Sequence, residues 1–80
     1  MERKLVQAVA ITIRYFRKTA NMSQEDLADK ADLDRTYISG IERGVRNITL
    51  DSLEQVIYAL NIDIQTFFNK VSEEFNGLSN

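Results

Sequence analysis

The chain has 80 residues with ten Lys or Arg, twelve Asp or Glu, no His, Cys or Pro, and a formal net charge of −2. A chain this short makes one small domain and buries only roughly 60–65% of its unfolded surface, so a second chain is the most available source of extra stability. Without Cys or His there is neither a disulfide nor a zinc-finger ligand set; the usual general base and the most reactive nucleophile are missing, which argues against an enzyme and against any cofactor.

The first predicted helix covers 2–19, where Val6, Val9, Ile13 and Phe16 recur at helical spacing with Leu5 and Ala10 beside them. Its start, Met1-Glu2-Arg3-Lys4 before an apolar run, has the outline of a signal peptide. Gln7 and Thr12 break the run, which leads into Arg14, Arg17 and Lys18 with no small-residue cleavage site. No stretch nears the roughly 20 apolar residues of a membrane span, so the expectation is a cytoplasmic protein with no membrane partner.

Asn21 and Met22 make a joint, after which Ser23 is a good N-cap with Asp26 at the capping-box position. The second helix, 24–31, turns Leu27, Ala28 and Ala31 inward. Asp32-Leu33-Asp34 forms a tight turn in which Asp32 must tolerate positive φ and Asp34 can cap the next helix. The third helix, 35–43, stops at Gly44, which suits a left-handed position. After a loop over 45–48, Thr49 caps a fourth helix over 50–60 with Leu53, Val56, Ile57 and Leu60 inside. Asn61 ends it, Asp63 caps a fifth helix over 64–75, and 77–80 reads as a frayed tail.

Charge is uneven along this series: net +4 over 1–20, −4 over 21–34, +2 over 35–47 and −4 over 48–80. The third helix and its following loop are thus the central segment that is net positive. Two short helices joined by a tight turn make a helix-turn-helix, whose second helix enters the DNA major groove. Ala28 is small enough for close crossing, and Leu33, Ile38 and Ile41 peg the third helix down. At about 100° per residue, Ile38 and Ile41 inward leave Thr36, Ser39, Gly40 and Arg43 on the solvated side, flanked by Arg35 and Tyr37. That face carries no acid. Arg can grip guanine O6 and N7, Thr and Tyr can touch thymine methyls or phosphates, and Gly40 would allow close approach to DNA.

The runs Ile13-Arg14-Tyr15-Phe16-Arg17, Ser23-Gln24-Glu25-Asp26-Leu27-Ala28 and Tyr37-Ile38-Ser39-Gly40-Ile41-Glu42-Arg43-Gly44 resemble the phage Cro/repressor-like helix-turn-helix family. More narrowly, 33–50 looks like the controller proteins of bacterial restriction–modification systems. The resemblance covers about residues 9–68 and departs from the family at Asp32, where glycine is usual. It implies an all-α, five-helix, lambda-repressor-like domain over 1–80. The implied function is a dimeric regulator that binds the promoter of its own and the endonuclease gene, activating at low occupancy and repressing at high occupancy. It implies a phosphate contact for Gln24, backbone or base-edge contacts for Arg43, Arg46 and Asn47, and a structural ion pair between Arg17 and Glu42. Tyr15 and Tyr58 are expected at the edge of the core.

The fifth helix holds more apolar surface than one short terminal helix needs to dock. The family reading places 62–76, with Ile62, Ile64, Phe67, Phe68 and Val71, in a twofold dimer interface that Tyr58 joins from the end of the fourth helix. Of these, Ile64 and Phe67 are the candidates to face the core, Phe68 and Val71 the partner. The expected partners are double-stranded DNA with an inverted repeat and a second copy of the chain. Two dimers on one operator and a contact with RNA polymerase are compatible with the same resemblance. A phage or chromosomal repressor and an antitoxin-type interaction module are the competing readings.

Overall fold

Residues 3–78, described by a computed structural model, form five helices and no strand: α1 (Lys4–Thr19), α2 (Gln24–Ala31), α3 (Arg35–Glu42), α4 (Leu50–Ala59) and α5 (Ile64–Leu78). Their boundaries reflect capping chemistry. Ser23 Oγ accepts from Asp26 N at 3.0 Å and Asp26 Oδ2 accepts from Ser23 N at 2.9 Å, a complete capping box. Thr49 Oγ1 accepts from Ser52 N at 3.1 Å, and Asp63 Oδ1 from Thr66 N at 2.7 Å. Asp34, expected to cap α3, stands at its N-cap with extended backbone but makes no side-chain capping bond.

Each helix-to-helix connection contains one residue in the left-handed region: Asn21 (φ 59°), Asp32 (φ 56°), Gly44 (φ 74°) and Asn61 (φ 58°). Asn and Asp are the non-glycine residues that enter this region at least cost, so Asp32 turns the chain between α2 and α3 without glycine.

The predicted ends shift slightly. α1 starts at Lys4, and Glu2 lies outside the described residues. Arg43 and Leu60 are C-caps, one step past α3 and α4. The larger change is in α5, which continues through Gly77 to Leu78 instead of fraying. Leu78 packs against the core from the stripe of Phe67 and Val71, seven residues beyond Val71, and that burial extends the helix. Ser79 and Asn80 lie outside the described residues.

The core is drawn from all five helices: Ala8 and Ile13, then Leu27, Ala28 and Ala31, then Ile38 and Ile41, then Leu53, Val56 and Ile57, then Phe67 and Val71. On α1 the buried stripe is rotated from the expected one. Val6 and Phe16 are half-buried and Leu5 is exposed, while Ala8 and Thr12 are fully buried. Thr12 can be buried because its hydroxyl donates to Ala8 O at 2.7 Å. Phe16 still stacks on Phe67, ring centroids 6.2 Å apart, and docks α1 along α5. Tyr15 lies edge-on to Phe16, and Lys70 Nζ sits 4.3 Å from the Tyr15 ring centroid while binding Glu74 at 2.9 Å.

The caps make stability depend on acid. Asp26 is held below the ordinary carboxylate range, chiefly by the Ser23 backbone N–H, and Asp63 by that of Thr66. A carboxyl lowered in the folded state stabilises fully above its unfolded pKa, and that contribution fades as pH falls through the folded value. Thermal melts should therefore show stability falling below about pH 4. Asp26→Asn with Asp63→Asn should flatten that decline, and an unchanged acid slope would remove the caps as its cause.

Candidate nucleic-acid interface

α3 is seated by Ile38 and Ile41, both buried against the core, which turns Arg35, Thr36 and Arg43 outward. Ser39 is half-buried, and its carbonyl accepts from Arg43 Nε at 3.4 Å. Tyr37 is also half-buried: its hydroxyl accepts from Thr49 N at 3.3 Å, and the Arg46 guanidinium lies 5.1 Å from its ring centroid. Exposed Asn47 accepts through Oδ1 from Arg3, a neighbour 44 residues away that no local pattern could have revealed.

Gly40 corrects the sequence reading. Expected on the open face for close approach to DNA, it is buried instead. A helical wheel describes only its own helix; here the chain turns at Gly44, Val45 N donates to Gly40 O at 3.1 Å, and the stem of Arg46 folds over the glycine. The loop therefore belongs to the same surface as α3.

Glu42, the one acid in 35–47, is withdrawn from that surface. Arg17 Nε donates to Glu42 Oε2 at 2.7 Å and Arg17 Nη2 to Oε1 at 2.9 Å, with Arg17 Nη1 on Met22 O at 2.8 Å. The expected Arg17–Glu42 pair is thus present and bidentate. Gln24, expected at a phosphate, extends it: its Nε2 donates to Glu42 Oε1 at 3.2 Å and its Oε1 accepts from Arg35 Nη1 at 3.4 Å. With Glu42 neutralised by Arg17, the charges left outward over 35–47 are Arg35, Arg43 and Arg46.

A second surface is apolar. Leu50 (83% exposed), Tyr58 (86%), Ile64 (65%) and Phe68 (40%) border a groove of about 560 Å³ between α4 and α5, with half-buried Ile62 beside them. Three sequence expectations change here. Val71, placed toward a partner, is buried in the core, as is Phe67, whereas Ile64, a candidate for the core, points outward. Tyr58 is on the surface and not at the edge of the core. Leu50 joins this face without a sequence expectation; the available signal is its place directly after the Thr49 cap, off the Leu53–Val56–Ile57 stripe.

No helix among the described residues is long and apolar enough to cross a membrane. A helix-turn-helix family model matches residues 13–67. Control protein C.BamHI of Bacillus amyloliquefaciens is 58% identical over 43 residues, which are 54% of this chain and 53% of that protein, so the match spans about half the length of that relative. Control protein C.MunI of Mycoplasma sp is 40% identical over 58 residues, 72% of this chain and 78% of that protein. The wild-type restriction–modification controller protein C.Esp1396I superposes with a TM-score of 0.91 at 43% identity, covering 95% of this chain and 99% of that one. The same controller has been solved as a tetramer in complex with its natural 35 base-pair operator (TM-score 0.88, 44% identity, covering 92% of this chain and 97% of that one).

Proposed function

Because the chain belongs to the helix-turn-helix family, alongside the control proteins of restriction–modification systems, we propose that it is a sequence-specific, homodimeric regulator of restriction–modification genes that acts at its own promoter. The observation that carries this is the outward face of α3 with its loop: Arg35, Thr36, Arg43 and Arg46 exposed together, and Glu42 sequestered by Arg17. In this reading the chain binds DNA and does not catalyse, and it works in the cytoplasm, where a bacterial operator lies.

In this reading α3 lies in the major groove with its N-terminal residues at the base edges. Arg35 supplies the bidentate grip on a guanine, with Thr36 and Tyr37 beside it. Ser39, Arg43, Arg46 and Asn47 hold the flanking backbone. Gln24 reaches a phosphate while steadying Arg35 from behind. The apolar face of α4 and α5 joins two copies, and two dimers share one operator, as the operator-bound C.Esp1396I tetramer suggests. One dimer activates, through contact with RNA polymerase; full occupancy represses.

Arg35→Ala should weaken binding to the specific site by about 1–3 kcal/mol and binding to random duplex far less. Titration of labelled duplexes at fixed salt measures both. Equal losses on the two DNAs would reduce Arg35 to a phosphate contact. Methyltransferase and endonuclease reading frames beside the gene would support restriction–modification control over a phage or chromosomal repressor.

A further inference from the structure

We propose that Gly40 is a positioning residue for DNA recognition: its missing side chain forms the seat that holds Arg46 against Tyr37, so that loop and helix meet DNA as one unit. The inference rests on the DNA-binding reading above.

Glycine is a poor helix former, and Gly40 sits inside α3 without the positive φ that would require it. Its use there is spatial. A Cβ at position 40 would lie 2.7 Å from Arg46 Cδ, 2.9 Å from Cγ and 3.6 Å from Cβ. These atoms belong to one flexible side chain, so an added methyl would displace Arg46 and leave the core alone. Two other ties complete the arrangement. Val45 N donates to Gly40 O at 3.1 Å, which pins the loop backbone over the same glycine. Thr49 N donates to the Tyr37 hydroxyl at 3.3 Å, which holds the ring that receives the guanidinium 5.1 Å from its centroid. Arginine over an aromatic face within about 6 Å is attracted by the ring quadrupole. With its stem on Gly40 and its head on Tyr37, Arg46 is ordered before DNA arrives, and less conformational freedom is lost on binding.

The alternative, that Gly40 lets DNA itself come close, makes a different prediction for the double variant. The probe is the duplex that the wild-type chain recovers from a random-sequence library. Gly40→Ala, Arg46→Ala and the double variant are compared with wild type by thermal melting and by titration of that duplex. Gly40→Ala should keep or raise the melting temperature and weaken binding about 5- to 100-fold. Arg46→Ala should stay folded and weaken binding to a similar extent, and the double variant should bind no worse than Arg46→Ala. Nuclear magnetic resonance of the free protein should show Arg46 δ protons shifted by the Tyr37 ring in wild type and released in Gly40→Ala. Unchanged binding by Gly40→Ala, a further loss in the double variant, unshifted Arg46 protons in wild type, or a steep drop in melting temperature would each overturn the inference alone. A wild-type chain that recovers no duplex would overturn the DNA-binding reading and this inference with it.

Discussion

Arg17→Met and Glu42→Gln should each destabilise the fold by about 3–5 kcal/mol, a large part of what a domain of this size has. The two side chains are nearly inaccessible, with 9% and 3% of their surfaces exposed, and they meet through two bonds of 2.7 and 2.9 Å. Removing one partner leaves the other desolvated with no counter-charge. Arg17→Met frees Glu42 with only the Gln24 amide to donate to it; Glu42→Gln leaves Arg17 with Met22 O as its remaining acceptor of full strength. At about 4–8 °C per kcal/mol for a 60–100-residue domain, the melting temperature should fall by more than about 12 °C in each variant. Replacing both members by apolar residues of similar volume should cost less than either single change, because no charge is stranded. Circular dichroism melts of the four proteins give the coupling directly. A melting temperature unchanged in both single variants would mean that the pair does not hold α1 to α3.

Which features are legible in the sequence depends on how local their causes are. The capping box at Ser23 and Asp26, the turn at Asp32 and the stop at Gly44 each arise from a residue's own backbone preference and its neighbours, and each is found as expected. α5 shows the limit. It carries two competing apolar stripes at helical spacing, Ile64 with Phe68 and Phe67 with Val71 and Leu78. By hydropathy they are equivalent, and the choice between them is made by α1, where Phe16 receives Phe67. A pattern within one helix cannot contain that choice, so the structure exchanges the expected places of Val71 and Ile64. The surface around α3 is hidden for the same reason. Arg46 over Gly40 and Arg3 on Asn47 are meetings between segments that a single wheel treats as unrelated. The ion pair is reached through family resemblance alone, since 25 residues separate Arg17 from Glu42.

The exchange of faces on α5 also decides how dimerisation should be probed. Ile64→Asp and Phe68→Asp should each leave a folded chain, because both side chains already meet water in the single subunit. Val71→Asp should unfold it, because that side chain is in the core. Joining two copies across Leu50, Tyr58, Ile64 and Phe68 would bury an aspartate at position 64 or 68 without a partner charge, so the dimer should be lost. Two recognition helices must lie about 34 Å apart to enter successive major grooves, which sets the half-sites of an inverted repeat about 10–11 base pairs apart. A monomer holds one half-site and forgoes the effective concentration that the second subunit supplies. Operator affinity should therefore drop by a factor on the order of 10²–10⁴ although α3 is untouched. Sedimentation at micromolar concentration, paired with operator titration of wild type, Ile64→Asp and Phe68→Asp, tests both links. The expected wild type is a dimer that binds the repeat in one cooperative step, and the expected variants are folded monomers with weak, half-site binding. A wild-type monomer that binds the inverted repeat without cooperativity would show that the apolar face of α4 and α5 serves something other than pairing two copies of this chain.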